Sequence, residues 1–270
     1  MVKLKPIPGK EWDGRKVPIG LFTPSYVGAW IGKTGSGKST SMLNMLQEYQ
    51  SANTFDKKIL FSPSARDDPK YNVIEWDQVY EDWDEEALRG IFKKQEEDME
   101  EWKEYLKQKL VYDKFKKGVP LTKGEKRILF GLINGEGVIA PPQCSMEREP
   151  YGVIVFDDLG SSDAYKNVTR NFMAAMACRC RHKNLSMFHC LQHIYQLPRT
   201  IRQQCGIMAL FRTKDQKLLR EIAKENSSDV TEDEFVRLYD AATKDDKHDF
   251  LLADFLTETF RKNYDNLLTL

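Results

Sequence analysis

At 270 residues, 41% of them apolar, the chain is long enough to bury one substantial core, and a single α/β domain with an insertion is expected. Lysine plus arginine and aspartate plus glutamate number 41 each, so no net field draws the protein to nucleic acid or to a membrane surface; such binding has to come from local asymmetry. No apolar run approaches the length that spans a bilayer, and residues 1–16 lack the apolar core of a signal peptide. Five cysteines without regular spacing fit a reducing compartment with free thiols.

Residues 1–25 are basic and carry Pro6, Pro8, Gly9, Gly14, Pro18 and Pro24, which reads as an irregular arm. The apolar run Tyr26 to Ile31 reads as a strand. It is followed by Gly32-Lys33-Thr34-Gly35-Ser36-Gly37-Lys38-Ser39 and then, from Thr40, by a helical pattern through Leu46. Strand, glycine loop and helix are the context that G-x-x-x-x-G-K-[ST] requires of a phosphate loop. Its glycines let backbone N–H groups face phosphate oxygens, and the helix adds its positive end to the same anion site. In such a loop Lys38 reaches the β- and γ-phosphates of a nucleoside triphosphate, and the Ser39 hydroxyl ligates Mg²⁺.

Lys57 to Pro63 reads as a second strand. Residues 77–140 change character. Acids dominate from Glu75 to Glu104, and Leu88, Phe92, Gln95, Met99, Trp102 and Leu106 share one helical face. A basic half (Lys107 to Lys117) and a second amphipathic piece (Lys123 to Ile133) complete a helical hairpin inserted into the core. A solvated lid or spacer and a partner-binding or subunit-contact element both suit it.

After a proline-rich return loop, Tyr151-Gly152-Val153-Ile154-Val155-Phe156-Asp157-Asp158 has the continuous apolar character of a strand buried on both faces, as in a parallel sheet. A helix over 165–180, strands at Leu185 to Leu191 and Gly206 to Phe211, helices at 216–224 and 232–242 and an apolar piece at 249–255 follow. This alternation predicts a doubly wound, mostly parallel sheet over residues 26–257, with 258–270 as a tail.

Two adjacent carboxylates at the end of a buried strand are poor structural choices. Downstream of a phosphate loop, Asp157 is placed to hold Mg²⁺ and Asp158 to orient or deprotonate the attacking water. Glu is commoner at the second position, and Asp158 is one methylene shorter. Gln192, just past the next strand, could bridge that water and the γ-phosphate. From Arg170 to Arg220 the cations Arg170, Arg179, Arg181, Lys183, Arg199, Arg202, Arg212, Lys214, Lys217 and Arg220 face only Asp215. Two uses fit such an excess: charge stabilisation on a transferring phosphoryl group, or contacts along a nucleic-acid backbone. The nearby Cys178, Cys180, His182, His189, Cys190, His193 and Cys205 lack the spacing of a tetrahedral zinc set.

In combination, the glycine loop, Val-Ile-Val-Phe-Asp-Asp-Leu-Gly (153–160), Cys-Arg-His-Lys-Asn-Leu-Ser (180–186) and Leu-Gln-His-Ile-Tyr-Gln-Leu-Pro-Arg-Thr-Ile-Arg-Gln-Gln (191–204) resemble the viral genome-packaging ATPases of the FtsK/HerA class. The resemblance covers residues 20–76 and 150–257 and leaves the helical insertion unexplained. It implies ATP and Mg²⁺ at Gly32 to Thr40 and Asp157, with Asp158 in the second acidic motif and Gln192 as a polar sensor. It further implies a hexameric or pentameric ring, with an arginine acting on the neighbouring site. Arg181 and Arg202 are first candidates for that arginine, and Arg212 stands behind them. Partners would be double-stranded DNA and capsid protein, with no membrane; the location would be the virion or the host-cell cytoplasm. Rival readings are a phosphate-loop kinase with residues 77–140 as its lid, and a nucleotide-binding scaffold or switch.

Overall fold

The computed structural model describes residues 15–166, 171–213, 215–226 and 230–269. Residues 1–14 of the expected arm, Arg170 and Lys214 of the basic cluster, and the terminal Leu270 lie outside them.

The elements in chain order are β1 (Val27–Ile31), α1 (Lys38–Ser51), β2 (Lys57–Phe61), β3 (Gln78–Tyr80), α2 (Glu85–Lys116), α3 (Lys123–Phe130), β4 (Gly152–Asp157), α4 (Phe172–Ala177), β5 (Leu185–Leu191), α5 (Arg199–Arg202), β6 (Cys205–Phe211), α6 (Gln216–Asn226), α7 (Glu232–Thr243), β7 (Phe250–Asp254), β8 (Thr259–Lys262) and β9 (Asn266–Leu268). Among the described residues the strands form one nine-stranded sheet, ordered β3-β2-β4-β5-β1-β6-β7-β8-β9. The strands from β3 to β6 run parallel, and β7, β8 and β9 continue the sheet antiparallel. The fold is therefore α/β with a mostly parallel sheet.

Strands β1, β4, β5 and β6 are buried along their whole length, as their unbroken apolar sequences require. One face packs on Leu88 and Phe92 of α2, Met173 of α4, Leu219 and Ile222 of α6 and Phe235 of α7. The other carries Met42, Met45, Leu46 and Tyr49 of α1.

Three expectations are corrected. The helix over 165–180 is broken: a 3₁₀ turn at Asp163–Tyr165, the short α4, and a second 3₁₀ turn at Cys180–Lys183 take its place, with 167–170 outside the described residues. The stretch 77–140 begins in the sheet, since β3 pairs with β2 before α2 starts. The described part of the expected tail, residues 258–269, extends the sheet through β8 and β9 instead of trailing from it.

Helix α2 begins where Asp84 accepts a hydrogen bond from the Ala87 amide (2.9 Å), and its 32 residues rise about 48 Å. Its apolar stripe is buried at Leu88, Phe92 and Met99 but emerges by Leu106, which is 46% exposed. Gln95, the polar member of the stripe, is buried because its amide donates to the Pro150 carbonyl (3.0 Å). Beyond the sheet, α3 folds back with a Thr122–Glu125 capping box, and Lys114 pairs with Glu125 (2.5 Å).

Candidate functional site

Parallel strands end together, and here four of them deliver their next residues to one edge. Ile31 is in register with Leu191 on one side and Leu210 on the other, while Asp157 is in register with Cys190. Gly32, Asp158, Gln192 and Arg212 thus leave the sheet side by side, at the carboxyl end where ligands of open α/β sheets bind. Because β5 lies between β1 and β4, Gln192 emerges between the glycine loop and the two aspartates.

The glycine loop is tightly built. A Cβ at Gly32 would lie 2.5 Å from Ser36 Oγ and 2.7 Å from Phe211 Cβ, and Gly37 sits at φ +93°, so neither position accepts a side chain without strain. Helix α1 has no side-chain cap and no acid in its first turn. Its leading N–H groups are left for an external anion. Lys38 and Ser39 are both buried, and Lys38 Nζ lies 3.6 Å from Asp158 Oδ1. Ser36 Oγ is buried and without a hydrogen-bond partner among the described residues.

The two aspartates differ sharply. Asp157 is fully buried, and its carboxyl is pushed above the usual range by that burial and by Asp158 beside it, against the opposing pull of the Ser39 and Tyr71 hydroxyls. Its Oδ2 accepts a hydrogen bond from Tyr71 (2.8 Å) and lies 4.0 Å from Lys70 Nζ. Its Oδ1 is buried and without a partner among the described residues. Asp158 is exposed and holds a left-handed backbone, φ 58°. An orphaned buried carboxylate oxygen, beside a strand-end site that also holds Ser39, is the oxygen donor set that suits Mg²⁺.

Gln192 is exposed, and its amide N–H and that of His193 both donate to Gln196 Oε1 (3.1 and 3.0 Å). A Cβ at Gly160 would lie 2.5 Å from Gln196 Nε2, so the Gln192 loop is braced against the segment behind Asp158.

The basic cluster is dispersed. Arg181 and Arg202 precede β5 and β6 and lie at the amino end of the sheet, about 20 Å of strand from the glycine loop. Arg181 is exposed. Arg202 departs from the expectation of a free trans arginine: it is buried and bound to Glu225 of α6 through two bonds of 3.0 Å, with Glu221 at 3.4 Å. Arg212 stands at the glycine-loop edge and donates to the Thr243 carbonyl (3.0 Å). Arg220 pairs with Asp233.

Cys180, Cys190 and Cys205 are buried free thiols, and burial pushes Cys180 up to about 12. His189 is fully buried, stacked on Phe156 at 5.0 Å and bonded through Nδ1 to Tyr165 (2.8 Å).

Four further residues reach this edge that no sequence motif marks. Lys70 and Tyr71 come from a 3₁₀ turn (Pro69–Val73) between β2 and β3. His248, ahead of β7, places Nδ1 3.1 Å from the Ser36 carbonyl, where an Nδ1–H donates to that oxygen. Tyr264, between β8 and β9, donates to the Ser41 carbonyl of α1 (2.9 Å) and receives the Trp30 indole N–H (3.2 Å).

No family model and no curated protein matches the sequence. Solved structures do. The genome packaging NTPase B204 of Sulfolobus turreted icosahedral virus 2 in complex with AMP superposes with a TM-score of 0.57 at 12% identity, over 92% of this chain and 100% of that one. The same protein in complex with AMPPCP gives 0.53 at 13% identity, over 90% and 98%. B204, the DNA-packaging ATPase of Sulfolobus turreted icosahedral virus, gives 0.51 at 13% identity, also over 90% and 98%. The likeness is one of fold and spans nearly the whole of both chains. No helix among the described residues is long and apolar enough to cross a membrane.

Proposed function

We propose that this chain is an ATP-hydrolysing motor that moves double-stranded DNA, and that it packages a viral genome into a capsid. The observation that carries the reading is the convergence at one sheet edge of an uncapped glycine-loop helix, Lys38 within 3.6 Å of Asp158, and a buried Asp157 oxygen with no partner among the described residues. The fold shared with structures described as a genome-packaging NTPase and a DNA-packaging ATPase supports it.

ATP binds with its phosphates in the loop from Gly32 to Thr40. Lys38 exchanges its contact with Asp158 for the β- and γ-phosphate oxygens, which frees that carboxylate. Ser39 and Asp157 would hold Mg²⁺, which supplies charge neutralisation on the phosphate oxygens when bound. Asp158, exposed at the strand end, orients the attacking water and takes up its proton. Gln192 contacts the γ-phosphate side and relays its loss through the Gln196 brace to the segment 198–204.

Arg181, remote from the phosphate loop of its own subunit, serves the site of a neighbour in a ring. Hydrolysis then waits for closure of the subunit interface, and an arginine in that role is worth roughly 10³–10⁵ in rate. Cations near the amino end of the sheet hold DNA by its phosphates, without sequence preference.

The test is the ATPase rate with and without duplex DNA across a range of protein concentration. The motor reading expects stimulation by DNA that grows as subunits associate. A rate indifferent to both DNA and concentration, or phosphoryl transfer to a small acceptor, would sink it.

A further inference from the structure

The turn between β2 and β3 brings two side chains to Asp157 Oδ2. Asp68 fixes this turn twice, accepting from the Lys70 amide (3.0 Å) and from Lys70 Nζ (3.0 Å), while Pro69 starts it. Lys70 Nζ lies 4.7 Å from the Tyr71 ring centroid and 4.0 Å from Asp157 Oδ2. Tyr71 is 2% exposed, and its single hydroxyl proton goes to Asp157 Oδ2, since a carboxylate only accepts. The Ser62 and Ser64 hydroxyls, 3.0 and 3.3 Å away, are therefore the donors to the Tyr71 oxygen. The contacts of Tyr71 and Lys70 with Asp157 fall on Oδ2, and Oδ1 is the oxygen without a partner among the described residues.

We infer that Tyr71 and Lys70 set the affinity of the metal site through Asp157 Oδ2, in opposite senses. Tyr71 fixes the carboxylate by Oδ2 and leaves Oδ1 free as a ligand oxygen, and Lys70 would compete with a bound metal for the same negative charge. This rests on the assignment of Asp157 as the Mg²⁺ carboxylate. Both roles follow from elementary electrostatics. A hydroxyl locked by two serines fixes the rotation of a ligand and raises its affinity; loss of such outer contacts typically costs 10- to 100-fold in metal binding. A lysine beside a buried carboxylate relieves the cost of an unpaired buried anion while the site holds no cation, and repels a dication that arrives there. Mg²⁺ is then held firmly only when the phosphates of ATP supply their own oxygens. The device couples metal retention to the presence of triphosphate.

The experiment is a Mg²⁺ titration of ATPγS binding by calorimetry, with the full chain as wild type, Asp157→Asn, Tyr71→Phe and Lys70→Met. Melting of each apo variant confirms that the fold is kept. Tyr71→Phe is expected to raise the Mg²⁺ concentration for half-maximal binding about tenfold. Lys70→Met is expected to lower it about tenfold, the size of a unit charge removed roughly 6 Å from a dication under water-like screening. If Tyr71→Phe does not fold, the tightening in Lys70→Met decides alone. Unchanged Mg²⁺ dependence in both variants, or weakening in Lys70→Met, overturns the inference while Asp157→Asn still abolishes the dependence. If Asp157→Asn binds with the Mg²⁺ dependence of wild type, the assignment of Asp157 fails, and this inference with it.

Discussion

Asp157 and Asp158 are neighbours in sequence with opposite environments, and environment divides the work between paired carboxylates. Burial and the adjacent charge push Asp157 up, so a cation bound beside it favours its ionised form. Asp158 stands in solvent on a left-handed backbone that asparagine adopts readily, which makes Asp158→Asn a conservative probe. That variant is expected to bind ATPγS like wild type and to lose turnover by about 10²–10⁴. Lys38→Ala is expected to lose binding itself. Single-turnover and binding measurements separate the two, and sustained multiple turnover in Asp158→Asn would remove it from the water-activating role. His189 supplies a second residue-scale expectation. Burial drives its imidazole down to about 3, against about 6.5 in the unfolded chain. The unfolded state therefore binds the extra proton in that window. Its stability contribution is whole above about pH 6.5 and is lost progressively toward pH 3, at up to about 1.4 kcal/mol per pH unit. Urea unfolding across that range should show a shallower acid loss in His189→Phe. An identical pH slope in the two proteins would contradict it.

At the scale of elements, what the sequence disclosed depended on how local each signal is. The glycine loop, the strand carrying Asp157 and the apolar run of β5 are local patterns, and the structure brings their ends to one edge. The helix expected over 165–180 spans a stretch whose described residues form 3₁₀ turns at 163–165 and 180–183 and the short α4. Three-residue strands such as β3 and β9 are too short for period-two alternation to register, and their pairing partners are what define them. Lys70, Tyr71, His248 and Tyr264 carry no motif; their roles come from tertiary placement alone. Tyr264 is the plainest case. The segment read as a tail returns to α1 and ties its first turn to Trp30 through one hydroxyl. Tyr264→Phe leaves a buried indole N–H and a helix carbonyl short of a partner, at a cost of about 1–3 kcal/mol. Denaturant unfolding measures this, and a loss near zero would show the contact to be incidental.

At the scale of the whole molecule, the arginines divide into structural and available ones. Arg202→Ala removes two 3.0 Å bonds from Glu225, whose side chain is only 8% exposed, and leaves it Arg199 at 3.2 Å, so it is expected to destabilise the fold by about 2 kcal/mol. Arg181→Ala, at an exposed position, is expected to change stability by less than about 0.5 kcal/mol and yet to lower turnover in the assembled protein. Mixing Arg181→Ala with Lys38→Ala subunits should restore part of the activity, because some interfaces then join an intact loop to an intact arginine; no recovery on mixing would place Arg181 outside a shared site. All of this serves one claim, that ATP cleavage drives movement along duplex DNA. Displacement of a triplex-forming oligonucleotide from a long duplex measures that movement directly. Displacement is expected with ATP, and none with ATPγS or with Asp158→Asn. Brisk ATP turnover on the same duplex that leaves the third strand in place would contradict it.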